Sequence, residues 1–90
     1  MARFDFSSQD FVDFHPAGGA SADALYELGL VYALGRDVSC DLVEAHKWFN
    51  IAAMRGNRDA RRMRAEIAED MDRADLMKAQ RLAREWLTKH

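Results

Sequence analysis

The chain has 90 residues, of which 49% are hydrophobic and 31% charged, and its net charge is −2. This composition predicts one small folded domain and disfavours a disordered chain. No apolar run approaches the roughly 18 residues that a membrane-spanning helix needs, and the first residues lack the pattern of a secretory signal peptide. We therefore expect a cytoplasmic protein without membrane contact. Cys40 is the single cysteine, so an intramolecular disulfide is excluded.

Charge is distributed unevenly along the chain. Residues 1–45 carry two basic and eight acidic side chains, whereas residues 46–90 carry eleven basic and seven acidic ones. The sequence is therefore acidic in its first half and basic in its second half.

The first twenty residues differ in composition from the rest. They contain four of the five phenylalanines and the only proline, and Gly18-Gly19 lies close to their end. We predict an N-terminal aromatic arm over residues 1–20 and a helical repeat domain over residues 21–90. The arm either packs onto the domain or binds a partner through its phenylalanines, which are Phe4, Phe6, Phe11 and Phe14.

Helical spacing of apolar residues predicts four helices in the second part, at about residues 22–34, 41–55, 58–70 and 73–89. Ser21, Asp41 and Asp72 are suited to cap three of these helices at their N-termini. Asp41 and Glu44, three residues later, have the spacing of a capping box, with Asp in place of Ser or Thr. Gly35 is suited to end the first helix in a left-handed conformation. No segment alternates with a period of two, so we predict no sheet. Short links between the helices indicate antiparallel neighbours.

Residues 24–60 carry an ordered set of small and large side chains. The small residues let two helices approach closely, and they are Gly29, Ala45, Ala52 and Ala53. Aromatic residues fill the volume around these contacts, and they are Tyr26, Tyr32, Trp48 and Phe49. The spacing of the whole set falls in the range of helical-pair repeats.

The pattern resembles the Sel-one-like repeat family, which is related to the tetratricopeptide repeats. The resemblance rests on two stretches of the sequence, Ala24-x-Tyr26-x-Leu28-Gly29-x-x-Tyr32-x-x-Gly35 and Glu44-Ala45-His46-Lys47-Trp48-Phe49-Asn50-x-Ala52-Ala53-x-x-Gly56-Asn57. The C-terminal part looks like the end of bacterial members of the family. The resemblance implies a right-handed stack of antiparallel helix pairs that binds proteins, often as an adaptor.

Two departures from the family pattern limit the number of repeats. Asp37 stands where the family usually has a second glycine, and the segment from Ala60 onward lacks the Leu-Gly pair and the tyrosine. We therefore expect an all-α fold, a short α-solenoid of about four antiparallel helices. It contains one well-formed repeat and one degenerate capping repeat, preceded by the arm.

The first helix is apolar around most of its circumference, so another element must cover it. The arm, a second copy of the chain and a different protein are the three alternatives. In this family the first helix of each pair lines the ligand-facing surface. The resemblance thus implies a partner-binding site on Asp23, Glu27, Leu30 and Leu34. The phenylalanines of the arm join this site if they bind a partner and do not pack onto the domain.

No group of residues has the pattern of a catalytic, cofactor or metal site, so we expect a non-catalytic protein. His46 is expected to point into solvent, because Ala45 and Trp48 point inward. Cys40 is reactive only if it lies near the amino end of the second helix.

A cluster of arginines offers an alternative binding surface, and its members are Arg55, Arg58, Arg61 and Arg62. Such a basic patch suits an acidic protein or, less well, nucleic acid, since no aromatic residues are interleaved with it. The sequence favours an adaptor or regulatory subunit that binds another protein. A nucleic-acid accessory protein and a self-assembling homo-oligomer, in the simplest case a homodimer, are the alternatives.

Overall fold

The computed structural model describes residues 21–90, which form four α-helices, and this range contains no strand. The helices are α1 (Ala22–Leu34), α2 (Leu42–Met54), α3 (Arg58–Ala68) and α4 (Arg73–Lys89). The predicted all-helical fold class is confirmed. The bounds of α1 and α4 are as predicted, while α2 and α3 are one or two residues shorter at their ends. The predicted arm, with Phe4, Phe6, Phe11 and Phe14, lies outside the described residues.

Side-chain caps explain where the helices begin. The hydroxyl of Ser21 accepts a hydrogen bond from the backbone N–H of Ala24 at 3.0 Å, and Asp72 accepts one from Asp75 at 2.9 Å. Each bond satisfies an amide that the first helical turn leaves without a partner. The three caps predicted from the sequence are confirmed, and Asn57 caps α3 in the same way.

The capping box predicted at the start of α2 is only half formed. Asp41 accepts from the N–H of Glu44 at 3.1 Å, but the N–H of Asp41 donates to the carbonyl of Tyr32 at 3.0 Å. The carboxylate of Glu44 instead accepts from the Trp48 indole N–H at 3.1 Å. The link between α1 and α2 thus takes the donor that the capping box would have used.

The turn after α1 requires two residues in the left-handed conformation. Gly35 has φ 70°, as predicted for a helix terminator, and Asp37 has φ 60°. Asp tolerates this region better than most residues, although less well than glycine. Asp37 therefore adopts the left-handed backbone conformation that a glycine at this position would adopt.

Helix α2 lies at the centre of the packing and contacts α1, α3 and α4. The side chains of Phe49 and Ile51 are fully buried. The Phe49 ring lies directly over Gly29 of α1, where an added Cβ would come within 2.5 Å of the ring. On another side of α2, the ring of Trp48 meets the ring of Trp86 edge-on at 5.6 Å. Gly29 therefore permits the close contact between α1 and α2, as its position in the sequence predicted.

Within residues 21–90 no helix is both long and apolar enough to cross a membrane.

Candidate partner-binding surface

Four predicted partner-binding residues lie along one side of α1. They follow one another at intervals of four, three and four residues, which places them within a narrow arc of the helix. We call this set the α1 stripe, and it consists of Asp23, Glu27, Leu30 and Leu34. Leu25 and Leu28 lie on the opposite side of α1 and are buried in the core. The stripe therefore lies on the outer side of α1, although Leu30 also reaches the core. It has two acids at one end and two leucines at the other.

The two leucines of the α1 stripe differ in exposure. Leu34 is 59% exposed, at the last turn of α1. Leu30 is half-buried and packs against the core. Leu34 is thus the apolar side chain that a partner could cover with the larger gain in buried area.

Asn57 holds the acidic end of the α1 stripe in place. Its amide Nδ2 donates to the Asp23 carboxylate at 2.9 Å, while its Oδ1 accepts from the backbone N–H of Ala60 at 2.7 Å. One side chain thereby caps α3 and ties the start of α3 to the start of α1. Asp23 remains exposed to solvent, so its carboxylate is oriented without being withdrawn from the surface.

Tyr26 lies beside the α1 stripe, where its ring packs against α2 and charges on α3 act on its phenol. Its ring centroid is 5.7 Å from that of the buried Phe49. Burial raises the pKa of the Tyr26 phenol above its usual value, and the negative charges of Asp59 and Glu27 raise it further, against the opposing effect of Arg62. The phenol is therefore protonated at neutral pH and offers a hydrogen-bond donor next to the acids.

The arginines of the predicted basic patch make different contacts. Arg62 forms an exposed ion pair with Asp59 at 3.3 Å, and the Arg55 guanidinium lies 5.3 Å from the centre of the Trp86 ring. Arg58 and Arg61 are exposed on α3. Arg62 thus has an acidic partner in its own helix, and Arg55 lies over an aromatic ring. The part of the patch that is left for a partner centres on Arg58 and Arg61.

The expectation for His46 is wrong. This side chain is only 3% exposed, and its Nδ1 has no hydrogen-bond partner within the part of the chain that the structure describes. Burial lowers the pKa of His46 below its usual value, and the positive charge of Arg64 lowers it further. The expectation assumed a single buried face on α2, whereas three helices pack around α2.

A second surface with the same spacing lies on α4, and the sequence argument overlooked it. Its residues are exposed and also follow at intervals of four, three and four, which places them along one side of the helix. We call this set the α4 face, and it consists of Arg73, Met77, Gln80 and Arg84. Met77 is 57% exposed at its centre. The identical spacing in the sequence could have revealed it.

Groups that carry chemistry are sparse around these surfaces. Cys40 is exposed in the link between α1 and α2, with its Sγ 3.5 Å from the Ala33 carbonyl oxygen. Among residues 21–90, no three His, Cys, Asp or Glu side chains are grouped so that they could hold a metal ion. What the described surface offers is a stripe of acids and leucines for noncovalent contact.

Neither a protein-family model nor a curated protein sequence matches this chain.

Proposed function

We propose that this chain is a non-catalytic protein–protein interaction module, either an adaptor or a regulatory subunit, that binds its partner through the α1 stripe. The observation that carries the proposal is the exposure of Leu34, which is 59%, at the end of a stripe that begins with two acids. A partner that covers an exposed apolar side chain gains buried area, and the neighbouring acids can pair with its basic residues.

The proposal includes the architecture that the sequence motif implies. We infer that α1 and α2 form one Sel-one-like helix pair and that α3 and α4 form a degenerate second pair that caps it. The close approach of Phe49 to Gly29 supports this pairing, because the motif places a glycine at that position. We also infer that the protein acts in the cytoplasm.

The dimensions of the α1 stripe restrict the partner segment. Asp23 and Leu34 are eleven residues apart on one helix, which corresponds to about 16 Å along its axis. A partner segment of about three helical turns, or about five extended residues, covers this length. Charge complementarity favours basic residues close to Asp23 and Glu27, and burial of the leucines favours an apolar group opposite them. The partner is therefore a short basic segment with one hydrophobic anchor.

The aromatic arm is the second part of the proposed binding surface. Residues 1–20 join α1 through its N-cap, Ser21, so the arm starts at the acidic end of the stripe. Its four phenylalanines provide the kind of side chain that contributes most to binding energy at protein interfaces. We propose that they contact the same partner.

Two variants of similar chemistry test the α1 stripe. Leu34→Asp places a charge on the stripe, and Met54→Asp places the same charge on α2 at a site that is 66% exposed. The tagged full-length chain and both variants are used to capture proteins from the source cells after nuclease treatment. We expect Leu34→Asp to lose the captured protein, and Met54→Asp to retain it, while circular dichroism shows that both variants are folded. Capture that is unchanged by Leu34→Asp would contradict the proposal.

Exposed Arg58 and Arg61 on α3 favour one alternative function, the binding of nucleic acid. Phosphate contacts make such binding fall steeply as salt increases. The alternative therefore predicts that nuclease abolishes the capture and that Arg58→Glu weakens it, with no effect of Leu34→Asp.

A further inference from the structure

We propose that the α4 face of one copy of this chain binds the α1 stripe of a second copy, in an antiparallel contact between the two helices. This inference rests on the proposed function, because it names a segment that fits the α1 stripe. The α4 face offers the two properties that the stripe requires, which are basic residues and an exposed apolar side chain, Met77.

The two surfaces are complementary in length and in order. Each extends over eleven residues of helix, or about 16 Å. In the antiparallel orientation Asp23 lies opposite Arg84, and Glu27 lies opposite Gln80, next to Arg81. The leucines of the stripe then lie opposite Met77 and the aliphatic part of Arg73. Asp23 therefore meets a base, Glu27 meets an amide with a base beside it, and Leu30 meets the exposed Met77.

The parallel orientation fits less well. It places Met77 opposite Glu27 and Gln80 opposite Leu30, so that no leucine of the stripe faces an apolar side chain, whereas the antiparallel orientation places Met77 opposite Leu30. Both orientations put a base near each acid. The position of Met77 therefore selects the antiparallel contact.

The same chain does not satisfy this contact by itself. Helix α1 meets α2 through Tyr26 and Phe49, and α4 meets α2 through Trp86 and Trp48. None of the ion pairs within residues 21–90 joins α1 to α4. Asp23, Leu34 and the residues of the α4 face stay exposed in one copy, while Glu27 and Leu30 are half-buried. Their complementarity is therefore available only between copies.

Because the α1 stripe and the α4 face are different surfaces, the contact is heterologous. Each copy retains one unused stripe or face, so the association extends to a ring or an open chain of copies. A contact formed by one pair of helices is small compared with a standard protein interface, so we expect it to be weak and sensitive to salt.

Charge reversal with rescue tests the contact on the full-length chain. Glu27→Lys reverses one charge of the stripe. Arg81→Glu reverses the charge beside Gln80, where Arg81 also lies 3.8 Å from Glu85 of its own helix. Arg58→Glu makes the same change on α3, outside both surfaces. Sedimentation equilibrium measures the average mass from micromolar to millimolar concentration at low salt. We expect the wild-type chain and Arg58→Glu to associate equally. Each of the other variants alone should associate at least about tenfold more weakly.

Rescue is the decisive result. The double variant, which carries Glu27→Lys and Arg81→Glu in one chain, should associate again, since the introduced lysine of one copy then faces the introduced glutamate of the next. A wild-type chain that stays monomeric throughout, or a double variant that does not associate, would overturn the contact. If the chain stays monomeric while Leu34→Asp still loses the captured protein, the proposed function stands without self-association. If neither association nor capture depends on the stripe, both proposals fail.

Discussion

Replacing Gly29 with alanine measures how tightly α1 packs against α2. In the middle of a helix this change alone stabilises a protein by about 1 kcal/mol, because alanine has the higher helix propensity. Here the new Cβ would lie 2.5 Å and 2.6 Å from two ring carbons of Phe49. Phe49 is fully buried, and the ring of Tyr26 packs against it, so the ring has little room to move.

The steric effect should exceed the gain in helix propensity. Overpacking of a core costs about 1–3 kcal/mol, and two ring contacts below 3.0 Å place this site near the upper end of that range. We expect Gly29→Ala to lower the free energy of unfolding by about 1–2 kcal/mol. For a domain of this size, that corresponds to a melting temperature lower by about 4–8 °C for each kcal/mol.

Urea unfolding, followed by circular dichroism, gives the free energy directly. Phe49→Leu serves as the matched second change, because it removes the ring carbon Cε1 and replaces the flat ring with a shorter side chain that can turn away from the new Cβ. The Gly29→Ala/Phe49→Leu double variant should lose less free energy of unfolding than the two single variants lose together. The difference should be an interaction energy of about 0.5–3 kcal/mol. A Gly29→Ala chain as stable as the wild type would show that the ring moves freely, and the close packing of α1 on α2 would then be refuted.

Three further substitutions test the core, the buried histidine and the turn. Trp48→Ala should lower the free energy of unfolding by about 3–5 kcal/mol, because it removes the edge contact with Trp86. A variant as stable as the wild type in thermal unfolding would disprove the assignment of Trp48 to the core. The pKa of His46 is lower in the folded chain than in the unfolded chain, so the unfolded chain binds more protons below about pH 6.5. The free energy of unfolding should therefore fall as the pH is lowered below about 6.5. Chemical unfolding at several pH values measures this, and a His46→Gln variant with an unchanged slope would contradict the assignment. Asp37→Gly removes the strain of a non-glycine residue in the left-handed conformation, so it should raise the free energy of unfolding by about 0.5–1 kcal/mol and with it the melting temperature. A lower melting temperature would show that Asp37 is not strained.

The caps show how much of the fold was predictable. Ser21, Asp41 and Asp72 each accept a hydrogen bond from a residue three positions later. Such bonds depend only on neighbours along the chain, so a pattern of a few residues predicts them. The same reasoning explains the left-handed conformation of Gly35, and it failed only where a distant group intervened, at the capping box of Asp41 and Glu44.

The candidate site was predictable in part. The spacing of Asp23, Glu27, Leu30 and Leu34 places them on one side of a helix, and this follows from helical geometry alone. The different exposure of the two leucines does not follow from spacing, because it depends on what packs beside α1. The bond from Asn57 to Asp23 links residues 34 positions apart, and no local pattern indicates it.

His46 and the arginines show what the tertiary structure decided. The sequence by itself determined where the helices begin and end and which residues share a side of α1, because these depend on interactions within one or two turns. Only the packing of α1, α3 and α4 around α2 decided that His46 is buried and that Arg55 lies over Trp86. It also decided that Arg58 and Arg61 stay exposed. Distant parts of the chain set how many helices pack around a given helix and on which sides. Hydrophobic periodicity predicts one buried face of a helix, but it does not predict how many other faces are covered.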